Sequence, residues 1–228
     1  IREAANRWGD QILVVLDDQR VAYQEVERRS AEMARSLLAS GVVRGSRLGL
    51  LAPNSPDWVV AWLAATRIGA VTTLLSTYAR PRELGWALGH SGVEVLLTAN
   101  GHLGRHYPVE LETAIPGLAG QRHGEIEVAS HPDLTAVYVW NDTDRGWAST
   151  VEDLVADASG TTDADLTVAE AAVSPDDPML IMYTSGSTAE PKGVIHGHGA
   201  VVRHPYNILP FRDLFPGDVL YTPMPLFW

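Results

Sequence analysis

Apolar positions follow two different spacings along the chain, and these predict helices and strands in alternation. From Gln24 to Ser40 they recur every three or four residues, as on one face of a helix, and Gly41 can end that helix. Shorter, continuous apolar runs are typical of buried strands. The predicted strands are Ile12–Leu16 (in a hairpin with Val21–Tyr23), Arg47–Ala52, Ala70–Thr77, Val93–Ala99, Thr135–Trp140 and Met179–Tyr183.

Start and stop signals predict further helices between these strands. Asn54 or Ser55 can cap a helix that has Pro56 in its first turn, and Gly69 can end it. Another helix is expected over Pro81–Leu88. Because parallel strands require crossover connections, the alternation predicts an α/β fold with a layered α/β/α architecture and a largely parallel sheet.

The middle of the chain gives weaker signals. Residues 107–124 contain scattered Pro, Gly and His without a clear period. Thr150 can cap a short helix, since Asp153 follows three residues later as in a capping box. Gly160–Asp165 has the polar, acidic composition of a connector.

Composition and charge exclude several classes of protein. The 228 residues carry 17 Lys plus Arg and 28 Asp plus Glu, a formal net charge of −11, which disfavours binding to nucleic acid backbones. There is no cysteine, hence no disulfide framework and no thiol nucleophile. No apolar run approaches the roughly 20 residues of a transmembrane helix, and the first residues do not resemble a signal peptide. A cytoplasmic protein is expected, and both ends of the sequence suggest a piece of a longer chain.

The segment "MYTSGSTAEPKGV", Met182–Val194, concentrates hydroxyls, glycines and one lysine directly after a predicted strand. Glycine lets backbone N–H groups approach an anion, and hydroxyl and ammonium groups can bind phosphate oxygens. The order differs from the Walker A pattern, in which Ser or Thr follows the lysine. A flexible surface turn is the alternative. The candidate phosphate ligands are Thr184, Ser185, Gly186, Ser187, Thr188, Lys192 and Gly193.

Other polar pairs are weaker candidates for chemistry. His196 and His198 would point to one side of a strand, and His102 and His106 would lie one turn apart on a helix. A metal site needs three or four ligands, so no metal site is predicted from either pair. The Asp176–Asp177 pair lies between prolines and is interpreted as a connector.

"YTSGSTAEPKGV" resembles the phosphate-loop signature of the adenylate-forming (AMP-binding) superfamily. The segment from "LLAPNSPDW" to "VEVLLT" and the final "PMPLFW" are similar to further blocks of its acyl-CoA synthetase branch, so the resemblance covers most of the chain. It implies an incomplete N-terminal AMP-binding domain without the small C-terminal domain. Residues 1–173 would form a first α/β subdomain and 174–228 the start of the nucleotide-binding part. Ala189 stands where the family has glycine, which would cost about 1 kcal/mol or more if that position needs a positive φ.

The resemblance also implies a reaction. ATP would activate a small carboxylic acid to an acyl adenylate, and coenzyme A would then take the acyl group, with Mg²⁺ accompanying the nucleotide; fatty acid metabolism is the expected context. Thr184–Thr188 and Gly193 would contact the phosphates, and Lys192 would be catalytic. Trp228 would border the acyl pocket, or would simply be a core aromatic residue.

Two other interpretations stay open. The chain could be an inactive truncated relic or a non-catalytic module that binds nucleotide without turnover, because the family's remaining motifs would lie beyond Trp228. In that case ligase activity would be confined to the full-length parent. An unrelated phosphate-binding enzyme such as a kinase would need an acidic magnesium site near the loop, and the sequence shows none there.

Overall fold

The computed structural model describes residues 1–158, 160–184, 191–215 and 217–228. Its α-helices are α1 (Arg2–Trp8), α2 (Tyr23–Ala39), α3 (Pro56–Arg67), α4 (Pro81–Ser91), α5 (Tyr107–Ala114), α6 (Val151–Ala156), α7 (Asp163–Ala171) and α8 (His198–Ile208). Its strands are β1 (Ile12–Leu16), β2 (Gln19–Ala22), β3 (Arg47–Leu51), β4 (Val71–Leu74), β5 (Val95–Thr98), β6 (Gly101–His102), β7 (Arg105–His106), β8 (Ala136–Val139), β9 (Ser149–Thr150), β10 (Pro178–Thr184) and β11 (Lys192–Gly197). Single 3₁₀ turns lie at Leu118–Gly120 and Leu209–Phe211.

Seven of the described strands form one sheet in the order β11-β10-β4-β3-β5-β8-β9. All neighbours in it are parallel except β10 and β11, which form an antiparallel hairpin at one edge. The crossovers that parallel pairing requires are made by helices such as α3 and α4. The predicted fold class is therefore confirmed.

Helices cover both faces of this sheet, and β3 shows why. Its side chains alternate, so Leu48 and Leu50 join the apolar core formed with α2 and α3, whereas Leu51 joins the core formed with α4 and α5. β3, β4 and β5 are buried on both faces, which accounts for the continuous apolar runs in β3 and β5. The division at residue 173 stays a prediction; β10, which follows it, pairs with β4 in the common sheet.

The helix-end signals predicted for α2, α3 and α6 are found in the structure. α2 is followed by Gly41 with φ of 92°, and α3 is followed by Gly69 with φ of 73°, left-handed conformations that favour glycine. The cap of α3 is Ser55, whose hydroxyl accepts a hydrogen bond from Trp58 N at 3.0 Å. Asn54 is thereby free for a different contact. Thr150 caps α6 as expected, accepting from Asp153 N at 3.0 Å.

The prediction of a connector over Gly160–Asp165 is wrong in its second half, because α7 begins at Asp163. Thr162 forms a reciprocal capping box: its hydroxyl accepts from Asp165 N at 3.2 Å, and its own N–H donates to the Asp165 carboxylate at 2.8 Å. Acidic residues in a first turn also interact favourably with the helix dipole. Composition suggested a loop, whereas the spacing of the two polar residues marks a helix start.

Both histidine pairs are arranged differently from the predictions. His196 ends up on β11, but His198 is the first residue of α8, so the two do not share a strand. His102 and His106 lie in the β6–β7 hairpin, where His106 pairs with Gly101, and not on one helix. The described residues contain no cluster of three or more potential metal ligands. Nor does any helix in the described ranges have the length and apolarity to cross a bilayer.

Candidate functional site

A cleft of about 710 Å³ opens where β4 and β10 end, at the carboxyl edge of the sheet. Ligands of open α/β sheets bind outside the carboxyl ends of the strands. The lining is mostly apolar, which suits an organic group more than a bare ion. Its members are Leu74, Leu75, Ser76, Tyr78, Ala79, Glu83, Leu84, Ala87, Met182, Tyr183, Thr184, Pro191, Val194, His196, Phe227 and Trp228.

Tyr183 fixes the end of β10 against α4. Its hydroxyl lies 3.2 Å from Ala87 O, to which it donates, and 2.9 Å from His90 Nδ1. Trp86 stacks on His90 with ring centroids 4.4 Å apart and meets Tyr183 edge-on at 5.4 Å. Burial raises the pKa of the Tyr183 hydroxyl, which keeps it protonated as a donor. The strand that enters the candidate phosphate loop is thus anchored to one wall of the cleft.

Gly193 lies opposite Tyr183 in the β10–β11 hairpin. A Cβ atom there would come within 3.1 Å of Ile181 Cγ2 and 3.3 Å of the Tyr183 ring. The missing side chain lets the aromatic ring lie across the neighbouring strand. Packing therefore accounts for a glycine at this position, and its predicted contact with phosphate is a separate matter that stays a prediction.

The hairpin places two of the predicted phosphate ligands side by side. Thr184 and Lys192 are directly paired across β10 and β11, and the Thr184 hydroxyl donates to Lys192 O at 3.4 Å. Both residues are exposed, at the end of the hairpin where the chain connects β10 to β11. The remaining predicted ligands, Ser185, Gly186, Ser187 and Thr188, lie with Ala189 outside the described residues.

Lys192 is the single lysine among the 17 basic residues of the sequence, the other 16 being arginines. Several of those arginines are held in ion pairs, for example Arg67 with Glu27 and Arg44 with Asp177. Within the described residues no acidic side chain forms an ion pair with Lys192. An exposed ammonium group without such a partner is available to an anionic ligand.

Trp228 borders the cleft with its side chain 67% exposed, whereas the preceding Phe227 is 4% exposed. Phe227 meets Tyr78 edge-on at 6.1 Å. The Asn54 side chain binds this segment twice, donating from Nδ2 to Met224 O at 2.9 Å and accepting from Leu226 N at 2.7 Å. Phe227 is thus the aromatic residue of this segment that packs in the core, and the acyl-pocket role of Trp228 stays a prediction.

Asp177 has the structural role that was predicted for a connector residue. It forms an ion pair with Arg44, with hydrogen bonds of 2.6 and 2.7 Å, and accepts from Ser174 N at 2.8 Å. The hydrogen bond from Arg44 is the main cause that lowers the pKa of the Asp177 carboxyl to about 2. Asp177 directly precedes β10 and lies at the opposite end of that strand from the cleft.

Sequence reasoning missed the contacts that shape the cleft. Asn54 was considered as a helix cap, and its amide binds residues 170 and 172 positions later in the chain. His90 carried no signal, because its partner Tyr183 is distant in sequence. Asn54 stands directly before Ser55, which is an equally good cap, and this surplus of capping residues is the one local hint that Asn54 has another partner.

A layered, largely parallel sheet with an apolar cleft and an exposed polar pair, Thr184 and Lys192, at its carboxyl edge places the chain in the class of α/β proteins whose ligands bind at that edge. The comparisons with known proteins narrow this class. A model of the family described as AMP-binding enzyme matches residues 1–228, and the chain belongs to that family.

Two curated relatives are coenzyme A synthetases or ligases by name. An acetyl-coenzyme A synthetase of Aeromonas hydrophila is 30% identical over 94% of this chain and 32% of its own length. The acyl-CoA ligase sidI of Aspergillus fumigatus is 31% identical over 91% of this chain and 34% of its own. An inhibitor-bound N-terminal domain of FACL13 from Mycobacterium tuberculosis is similar in structure, with a TM-score of 0.74 and 25% identity over 99% of this chain and 50% of that one. The chain thus spans about a third of the length of these curated relatives.

Proposed function

We propose that the whole protein to which this chain contributes is an acid–thiol ligase that activates a carboxylic acid with ATP and transfers it to coenzyme A. The observation that carries the proposal is the placement of Thr184 and Lys192 beside the apolar cleft bordered by Trp228. One end of the site offers hydroxyl and ammonium groups, and the other offers apolar and aromatic surface. The family relatives, which include acetyl- and acyl-CoA ligases, support the same reaction class.

In the first step, a carboxylate oxygen of the acid attacks the α-phosphorus of ATP. The bond from that phosphorus to the bridging oxygen breaks, and pyrophosphate leaves with the electron pair. Lys192 and the Thr184 hydroxyl are proposed to bind the β- and γ-phosphates together with Ser185, Gly186, Ser187, Thr188 and the Gly193 backbone. Groups fixed where negative charge accumulates stabilise the transition state more than the ground state. Lys192 is catalytic in this sense and transfers no proton.

In the second step, the sulfur of coenzyme A attacks the acyl carbon, and AMP leaves with the electrons of the acyl–oxygen bond. The thiol proton is released to solvent or to the departing phosphate. Mg²⁺ would come with the nucleotide and neutralise phosphate charge. The acyl group would occupy the cleft beside Trp228. A cytoplasmic location and a role in fatty acid metabolism are parts of this proposal.

The test is acid-dependent exchange of labelled pyrophosphate into ATP, measured on the whole protein. Exchange is expected only when a carboxylic acid is supplied, and Lys192→Ala should slow it about 100-fold, in the range found when a transition-state donor is removed. Arg20→Ala removes an exposed cation on β2, far along the chain from the site, and should leave the rate within about twofold. An unchanged rate in Lys192→Ala would remove this lysine from the mechanism. Binding of ATP without exchange would favour a non-catalytic nucleotide-binding module.

A further inference from the structure

The Asn54 side chain joins two parts of the protein that are far apart in sequence. Its Nδ2 donates to Met224 O at 2.9 Å, and its Oδ1 accepts from Leu226 N at 2.7 Å. The partners fix the orientation of the amide, because a carbonyl needs a donor and an N–H needs an acceptor. An amide presents one of each at its tip, so Asn54 can bind both backbone groups in one plane.

These two bonds hold the segment of residues 223–228 to the loop after β3, in addition to the packing of Leu226 and Phe227 against the core. Met224 N donates to the hydroxyl of Thr222, just before the segment, and Trp228 N donates to Pro225 O within it. Asn54 follows β3 and lies next to the Ser55 cap of α3, so it belongs to a rigid part of the fold. Through its two hydrogen bonds Asn54 restrains residues 223–228, which have no helix or strand of their own.

The held segment supplies one wall of the cleft. Phe227 inserts into the core beside Tyr78, and Trp228 turns towards the cleft opening. Leu226, whose N–H is bound by Asn54, packs against the core that lies under α3. Loss of the amide would therefore free the chain directly next to the two aromatic residues.

We infer that Asn54 is a positioning residue for acid binding: by binding Met224 and Leu226 it fixes Phe227 and Trp228 as a wall of the cleft. This rests on the proposed function, because the cleft is taken as the acyl site. Asn54 belongs to the loop after β3, whereas Thr184 and Lys192 project from the β10–β11 hairpin. Its removal should consequently affect the acid and spare the nucleotide.

The kinetic test compares Asn54→Ala and Asn54→Asp in the whole protein with Asn6→Ala, which removes an exposed amide from α1. Asn54→Ala should raise the KM for the acid roughly tenfold, as expected for two lost hydrogen bonds, with the KM for ATP within about twofold. Asn54→Asp keeps the acceptor but places a carboxylate oxygen against Met224 O, so it should not restore the KM. Asn6→Ala should behave like the wild type. An unchanged KM for the acid, or equal rises for acid and ATP, would overturn the inference.

Hydrogen exchange at the Leu226 amide provides a readout that does not depend on turnover. Asn54→Ala should speed this exchange roughly tenfold while amides of β3 keep their protection. Equal exchange in wild type and variant would show that Asn54 does not hold the segment. If the wild type shows no acid-dependent pyrophosphate exchange, the ligase proposal and the acid-binding role fail together. Hydrogen exchange at the Leu226 amide would then still report separately on the contact between Asn54 and the segment.

Discussion

Gly85 allows α4 to approach α5 closely, and replacing it should break this contact. A Cβ atom at Gly85 would lie 2.5 Å from Ala114 O, the carbonyl of the last residue of α5, and 3.3 Å from its carbon. Both are backbone atoms, so a rotamer change cannot relieve the overlap. Because Leu84 and Ala87 on α4 line the cleft, the contact also sets the position of one cleft wall.

The magnitude follows from two opposing terms. Overpacking against backbone costs about 3 kcal/mol, the upper part of the usual range, and alanine gains about 1 kcal/mol over glycine inside a helix. Gly85→Ala should therefore lose about 2 kcal/mol of unfolding free energy. Gly89, on the same helix, is exposed, and its nearest potential contact is His131 at 3.6 Å, an ordinary van der Waals distance. Gly89→Ala should gain about 1 kcal/mol.

The assay is equilibrium unfolding in urea of the two variants and the wild type, with the midpoints compared at constant slope. The variants should differ by about 3 kcal/mol, or about 6–12 °C in melting temperature for a domain of this size. The sign of the change in unfolding free energy for Gly89→Ala reports helix propensity alone. The sign of the change for Gly85→Ala reports the close approach of α4 and α5. Equal midpoints for the two variants would refute the close approach of these helices.

Two further predictions concern polar contacts. Tyr183→Phe removes the hydroxyl that contacts His90 and Ala87 and should cost about 1 kcal/mol in urea unfolding, whereas Tyr78→Phe, which alters an exposed side chain, should cost almost nothing. The pKa of Asp177 is lowered to about 2, so its ion pair with Arg44 stabilises the fold above the unfolded-state pKa of about 4, and this contribution is lost as the pH falls towards 2. Asp177→Asn should flatten the loss of stability between about pH 4 and 2, and Asp176→Asn should not; identical pH profiles for wild type and Asp177→Asn would contradict this role.

Much of the fold could be predicted because its signals are local. The α2 helix, the Ser55 cap and the continuous apolar strands all depend on residues within a few positions of one another. Helix α5 was missed because Tyr107, Leu111 and Ile115 carry its buried face while Pro108 lies in its first turn and suggested a break. Helix α7 was missed because its capping box consists of the polar residues that a loop also contains.

Part of the candidate site could likewise be predicted from local sequence, and part of it could not. The position of Thr184 and Lys192 after a buried strand follows from contiguous sequence, and in the structure they form a cross-strand pair. The cleft arises from pairings that no local pattern encodes, such as Asn54 with Met224 and His90 with Tyr183. Such contacts depend on which strands become neighbours, a property of the whole topology.

The most direct measurement of the central claim is protection of the Lys192 amine from chemical labelling; Lys192 is the only lysine of this sequence, so its peptide is readily assigned. An amine-reactive reagent is added to the whole protein with and without saturating ATP or AMP, and labelling at Lys192 is followed by peptide mass spectrometry. If the β10–β11 hairpin binds the β- and γ-phosphates, ATP should slow labelling of Lys192 about tenfold or more, and AMP, which lacks those phosphates, should protect it far less. Equal labelling of Lys192 with ATP, with AMP and without nucleotide would contradict the proposed phosphate site.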